Sequence, residues 1–100
     1  MLYILNHFRT EVTLESIAKD VGVTPVYLSA AFKKETGKNV KEYVDTLRFQ
    51  CAEKLLRHSE LTVQEIAAES GFVSYANFIR RFKMRYGISP GAYKKSKQNV

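Results

Sequence analysis

The sequence predicts an all-α fold on three observations. Apolar residues recur at spacings of three and four, no stretch alternates in the manner of a strand, and one helical unit is written twice. The 100 residues hold one small domain or two half-sized ones, and 45% hydrophobic with 26% charged side chains is ordinary for a chain that folds.

The duplication organises everything else. Thr13, Ile17, Ala18 and Gly22 reappear as Thr62, Ile66, Ala67 and Gly71, displaced by 49 positions. Leu28, Phe32, Lys33, Gly37 and Tyr43 then reappear as Phe78, Phe82, Lys83, Gly87 and Tyr93, displaced by 50, so the second copy carries one extra residue just after Gly71, where a turn tolerates it.

The elements follow in order, seven helices in all. Leu2, Leu5 and Phe8 suggest an opening helix. Thr13 caps a second, although Ser16 in place of an acid or amide leaves its capping box incomplete; Leu14, Ile17, Ala18 and Val21 share a face and Gly22 stops it. Thr24 with Pro25 at the first helical position starts a third, which runs to Gly37. Val40, Tyr43, Val44, Leu47, Cys51, Leu55 and Leu56 then mark one long amphipathic helix with no Gly or Pro. Thr62 with Glu65 is a full capping box for a fifth helix, whose face is Val63, Ile66, Ala67 and Ser70 and whose stop is Gly71. Ser74 with Tyr75 opens the sixth, to Gly87, and Ser89 with Pro90 opens a short seventh through Tyr93, after which Lys94 to Val100 should fray. Residues 1–38 thus form a first helix-turn-helix unit, 39–58 a connecting helix, 59–95 a second unit and 96–100 a disordered tail.

Charge narrows the partner. The net charge is +6, but Met1 to Gly71 holds nine basic and ten acidic side chains, whereas Phe72 to Val100 holds seven basic and none acidic. A block of this kind is a solvated tail or a surface for a polyanion, and its placement on a helix-turn-helix favours the latter. A single cysteine excludes an internal disulfide framework and a multi-cysteine zinc site, and a reducing cytosol is the simplest setting. The opening apolar run, broken by Asn6, His7 and Arg9, is too short for a signal core or a membrane span.

A helix-turn-helix reads DNA when its second helix turns one face inward and presents the other to the major groove. In the first copy Leu28, Ala31 and Phe32 point inward while Val26, Ser29, Ala30 and Lys33 point outward. In the second, Phe78 and Phe82 point inward while Ala76, Ile79, Arg80 and Lys83 point outward, flanked by Tyr75 and Asn77. Arg80 suits guanine and Asn77 adenine, whereas Val26, Ala30 and Ile79 offer only apolar contact. Candidates for phosphate contact are Thr13, Thr24, Thr62 and Ser74 at helix N-termini, with Lys33, Lys34, Lys38, Arg48, Arg81 and Arg85.

Other chemistry finds little support. Cys51 reads as an inert thiol near the apolar stripe, His7 and His58 lack metal-ligand spacing, and Tyr27, Tyr43, Tyr86 and Tyr93 read as core or core-edge aromatics. There is no phosphate-binding glycine loop, nucleophile elbow or paired acid, so no catalytic residue, metal or cofactor is assigned.

The chain resembles the DNA-binding domain of the AraC/XylS family of bacterial transcription regulators, from about Tyr3 to Lys94. The resemblance is carried by Leu14, Ile17, Ala18, Val21, Gly22, Val23, Tyr27, Leu28, Ser29, Phe32, Lys33, Gly37 and Tyr43 in the first unit, and by Arg48, Ala52, Leu55 and Leu56 between the units. Its most diagnostic stretch is Ile66, Ala67, Gly71, Phe72, Phe78, Arg80, Phe82, Lys83, Gly87, Ser89, Pro90 and Tyr93. The resemblance implies seven helices and two recognition helices inserted into successive major grooves of double-stranded DNA. It also implies a sensing, phosphoacceptor or dimerisation domain outside these residues, and RNA polymerase is a further candidate partner. Two positions depart from the family pattern: Ala30 stands where an arginine is frequent, and so does Lys94. Base readout in the first unit then falls to Ser29 and Lys33, and specificity to the second unit or to DNA shape. The alternative reading is a helical protein-interaction module, which the apolar Val26, Ala30 and Ile79 keep open.

Overall fold

A computed structural model describes residues 7–9 and 13–98. The described residues form six helices and no strand: α1 (Leu14–Val21), α2 (Pro25–Thr36), α3 (Val40–His58), α4 (Val63–Glu69), α5 (Tyr75–Tyr86) and α6 (Pro90–Gln98). The all-α expectation holds with six helices rather than seven, because the opening helix expected from Leu2, Leu5 and Phe8 falls largely outside the described residues. Two compact units divide the chain between Leu47 and Arg48, inside α3.

In the unit to Leu47, α1 begins with a closed capping box. The Ser16 N–H donates to the Thr13 hydroxyl at 3.0 Å and the Thr13 N–H donates to the Ser16 hydroxyl at 3.1 Å, so serine completes what the sequence reading left incomplete. Its hydroxyl reaches back as a carboxylate would. Gly22 ends the helix at φ 76°, in the left-handed region that a side chain would strain. Two residues later Thr24 caps α2, with Pro25 in its first turn. α1 packs on α2. Ile17, Phe32, Val40 and Val44 form the core, joined by Phe8, Leu14, Leu28, Tyr43 and Leu47, with Phe32 and Tyr43 in edge contact at 5.3 Å.

In the unit from Arg48, α4 starts on the full capping box of Thr62 and Glu65. The extra residue of this copy is identified by its hydrogen bonds. Phe72 N–H reaches the Ala67 carbonyl at 2.9 Å just as Val23 N–H reaches that of Ala18 at 3.0 Å, so the insertion is Val73, whose side chain is fully exposed. Phe49, Ala52, Leu56, Ile66, Ala67, Phe78, Phe82 and Tyr93 are buried together. Phe49 sits among the rings of Phe72, Phe78, Phe82 and Tyr86 at centroid distances of 4.8 to 6.4 Å.

Two sequence expectations need correction here. The stripe expected along α3 included Cys51 and Leu55, yet both are half-buried, and Phe49 and Ala52 take the deep positions. The helix serves two cores in turn, so its buried register changes after Leu47 and a single stripe cannot describe it. The fraying expected from Lys94 is absent as far as Gln98. Ser89 caps α6 through the Ala92 N–H, buried Tyr93 anchors it, the Lys94 ammonium donates to the Leu61 carbonyl, and the Lys97 ammonium lies 5.6 Å from the Tyr93 ring centroid. Asn99 and Val100 lie outside the described residues.

Tyr93 also ties α6 to α3. Its hydroxyl donates to Glu53 at 2.7 Å and accepts from Arg57 Nε at 3.0 Å, while Glu53 and Arg57 form an ion pair at 3.8 Å. Burial first, and then the hydrogen bond to Glu53, raises the Tyr93 hydroxyl above its ordinary pKa.

Candidate nucleic-acid interface

The two second helices expose the faces that helical periodicity assigns to the outside. On α2, Leu28 and Ala31 are half-buried and Phe32 buried, while Val26, Ser29, Ala30 and Lys33 are exposed, Val26 to 82%. With Leu14 and Pro25 these four line a shallow open groove of about 400 Å³. Tyr27 departs from the core-edge reading and is 65% exposed. It occupies the first turn of α2, ahead of the Leu28 to Phe32 row that meets the core. The duplication carried that signal, because Tyr27 corresponds to Asn77 at the 50-residue offset.

On α5, Tyr75, Ala76, Asn77, Arg80 and Lys83 are exposed, but Ile79 is not one of them. Ile79 is half-buried and packs on the core cluster. At 100° per residue it lies roughly 60° around the helix from Phe82 and roughly 20° from Tyr86, on the edge of the inward face. Arg80 reaches along the exposed face: its Nη2 donates to the Asn77 side-chain oxygen at 3.4 Å, and its Nη1 approaches the Met84 sulfur at 3.9 Å. Met84 is 77% exposed and was not singled out from the sequence, since a lone apolar residue in a basic stretch carries no periodic signal.

Hydroxyls mark the helix starts. Thr13, Thr24, Thr62 and Ser74 each accept a hydrogen bond from a backbone N–H three residues on, at 3.0 to 3.2 Å, and each keeps its own O–H for donation. The Glu65 carboxylate that completes the Thr62 box is held below its ordinary pKa, first by the Thr62 backbone N–H. Among the cations, Lys33, Lys34, Lys38 and Arg85 are exposed, and Arg48 and Arg81 half-buried. Arg81 and Arg85 share one seat. Their guanidinium carbons lie 5.3 and 4.9 Å from the centroid of the Phe49 ring, so a buried aromatic on α3 fixes two charges of α5 in place. The sequence named both arginines but missed their seat, because Phe49 falls off the single stripe assigned to α3.

Of the residues set aside earlier, His7 and His58 are exposed and Cys51 is half-buried. Among the described residues, no group of three His, Cys, Asp or Glu is placed to hold a metal ion, and no helix is long and apolar enough to cross a membrane.

Comparison with known proteins agrees with this architecture. Residues 17–96 match a family described as a helix-turn-helix domain. The whole chain is 38% identical over 101 residues to YtdP, an uncharacterised HTH-type transcriptional regulator of Bacillus subtilis, of which it covers 13%. The C-terminal domain of AraT, a response regulator from Geobacillus stearothermophilus, superimposes with a TM-score of 0.88 at 36% identity, over 95% of this chain and 79% of that one. The DNA-binding domain of AdpA, a global transcriptional factor solved in complex with a target DNA, gives 0.90 at 26% identity, over 98% of this chain and 88% of that one. The chain spans 13%, 30% and 34% of the length of YtdP, PocR of Salmonella typhimurium and the Msm operon regulatory protein of Streptococcus mutans. With two duplicated helix-turn-helix units, exposed second helices and these matches along most of its length, the chain belongs to the AraC/XylS family of transcription regulators, in the part that corresponds to their DNA-binding domain.

Proposed function

We propose that the chain binds double-stranded DNA in a sequence-specific manner as the DNA-reading part of a bacterial transcription regulator, with α2 and α5 in successive major grooves. The observation that carries this reading is the exposed row of Ala76, Asn77, Arg80 and Lys83 on α5, in which Asn77 and Arg80 are hydrogen-bonded to each other. Asn and Arg are the side chains that pair bidentately with adenine and guanine edges, so α5 supplies polar readout. Ser29 and Lys33 supply what polar readout α2 has. The capping hydroxyls and Lys34, Lys38, Arg48, Arg81 and Arg85 serve the phosphates, which position the protein without specifying sequence.

The length of the relatives supports a sensing or dimerisation domain in the same polypeptide. A role in transcription regulation makes RNA polymerase a further partner and the cytoplasm the setting of this proposal. The test is a selection on random duplex DNA at physiological salt, where attraction by charge alone fades and base readout persists. Two enriched clusters about 10 base pairs apart are expected, one helical turn of DNA. A single cluster restricts readout to one unit, and no enrichment favours a protein partner instead.

A further inference from the structure

The exposed face of α2 differs in kind from that of α5. Its groove is walled by carbon from Leu14, Pro25, Val26 and Ala30, with only Ser29 and Lys33 to offer polar atoms, and it contains no amide or guanidinium for paired hydrogen bonds. We infer that this groove reads thymine by its C5-methyl group, an inference that rests on the DNA-binding function proposed above. The thymine methyl is the apolar group that a base edge displays in the major groove, so a carbon-lined groove on a recognition helix discriminates by it where α5 discriminates by hydrogen bonds. Charge complementarity favours DNA over an apolar peptide as occupant: Lys33 lines the groove and exposed Lys34 follows it in the sequence, two cations that a polyanion would neutralise. Val26 is the principal contact, because it is the most exposed large apolar side chain in the lining, at 82%.

The experiment replaces each thymine of the selected duplex by deoxyuridine, one at a time, and measures affinity for the 100-residue chain and for Val26→Ala. Deoxyuridine keeps every hydrogen-bonding group and loses only the methyl. At one or more positions the unaltered chain should lose about fourfold in affinity, the worth of one buried methyl-sized group. The same positions should lose little in Val26→Ala, which identifies the methyl and Val26 as coupled. Val26 lies outside the core, so matching thermal melts will show that the variant folds. A selected site in which no deoxyuridine is felt, or in which its effect is equal in both proteins, overturns the inference and leaves DNA binding standing. Absence of any selected site overturns both.

Discussion

Arg80 donates to the side-chain oxygen of Asn77 at 3.4 Å, so the two side chains best suited to read bases hold each other one turn apart on the open face of α5. The pairing has a cost and a benefit for recognition. A long arginine side chain loses rotamer freedom when it binds, and Asn77 restricts that freedom beforehand. The cost falls on Asn77, whose side-chain oxygen must leave Arg80 before it can accept from adenine in a two-bond pair.

This arrangement predicts different signatures for three substitutions. Arg80→Ala should cost about 1 to 3 kcal/mol on the preferred duplex and relax selectivity at one base position. Asn77→Ala should weaken binding at the same position as well as its own, because it also releases Arg80. Lys34→Ala, on a side chain assigned to the phosphates, should lower affinity more evenly across sequences. Binding titrations on a panel of single-base variants separate these outcomes, and an identical factor on every duplex for Arg80→Ala would remove it from base readout.

Phe82 is fully buried at the centre of the aromatic cluster, with Tyr86 at 4.3 Å and Tyr93 at 5.5 Å between ring centroids. Phe82→Ala should destabilise the second unit by about 3 to 5 kcal/mol. Chemical denaturation followed by circular dichroism measures this directly, and an unchanged midpoint would contradict the packing.

Phe49→Leu keeps an apolar side chain in the core but removes the ring beneath Arg81 and Arg85. Each cation–π contact is worth about 0.5 to 1 kcal/mol at a site open to water. The variant should fold, and its DNA affinity should fall by a similar factor on specific and random duplexes, with a changed salt slope. Loss of selectivity alone would show that the seat serves base readout instead.

Ser70 ends α4 fully buried, and its hydroxyl oxygen has no hydrogen-bond partner. An unpaired buried hydroxyl costs about 1 to 3 kcal/mol, so Ser70→Ala should match or exceed the parent in stability, by up to about 1 kcal/mol after the lost contacts are counted. A clear drop in melting temperature would mean that the hydroxyl is paired in solution.

Glu65 gives a pH signature. Its carboxyl is depressed from an ordinary value near 4.5, first by the Thr62 backbone N–H, so the charged form stabilises the folded state above that pH and the contribution disappears as pH falls through the depressed value. Glu65→Gln keeps the capping geometry without the charge. The melting-temperature gap between the two proteins should be present at neutral pH and close as the pH falls below the ordinary glutamate range and through the depressed value, whereas a gap independent of pH would exclude the carboxylate as its source.

Much of this molecule was determined locally and is legible in the residues. Thr62 with Glu65, Thr24 with Pro25, and the left-handed Gly22, Gly37 and Gly87 set helix ends through bonds within a few positions, and the 3.6-residue period alone separates Phe78 and Phe82 from Ala76, Arg80 and Lys83. Tertiary structure decided what depends on a partner distant in sequence. Phe49 is deep because α3 changes the face it buries when the second core begins, and only the packing of Phe72, Phe78 and Phe82 around it reveals that change. The same packing draws Ile79 toward the core, seats Arg81 and Arg85 on Phe49, and carries α6 past Tyr93 to Gln98. A period states which residues share a face; what covers that face is a property of the assembled chain.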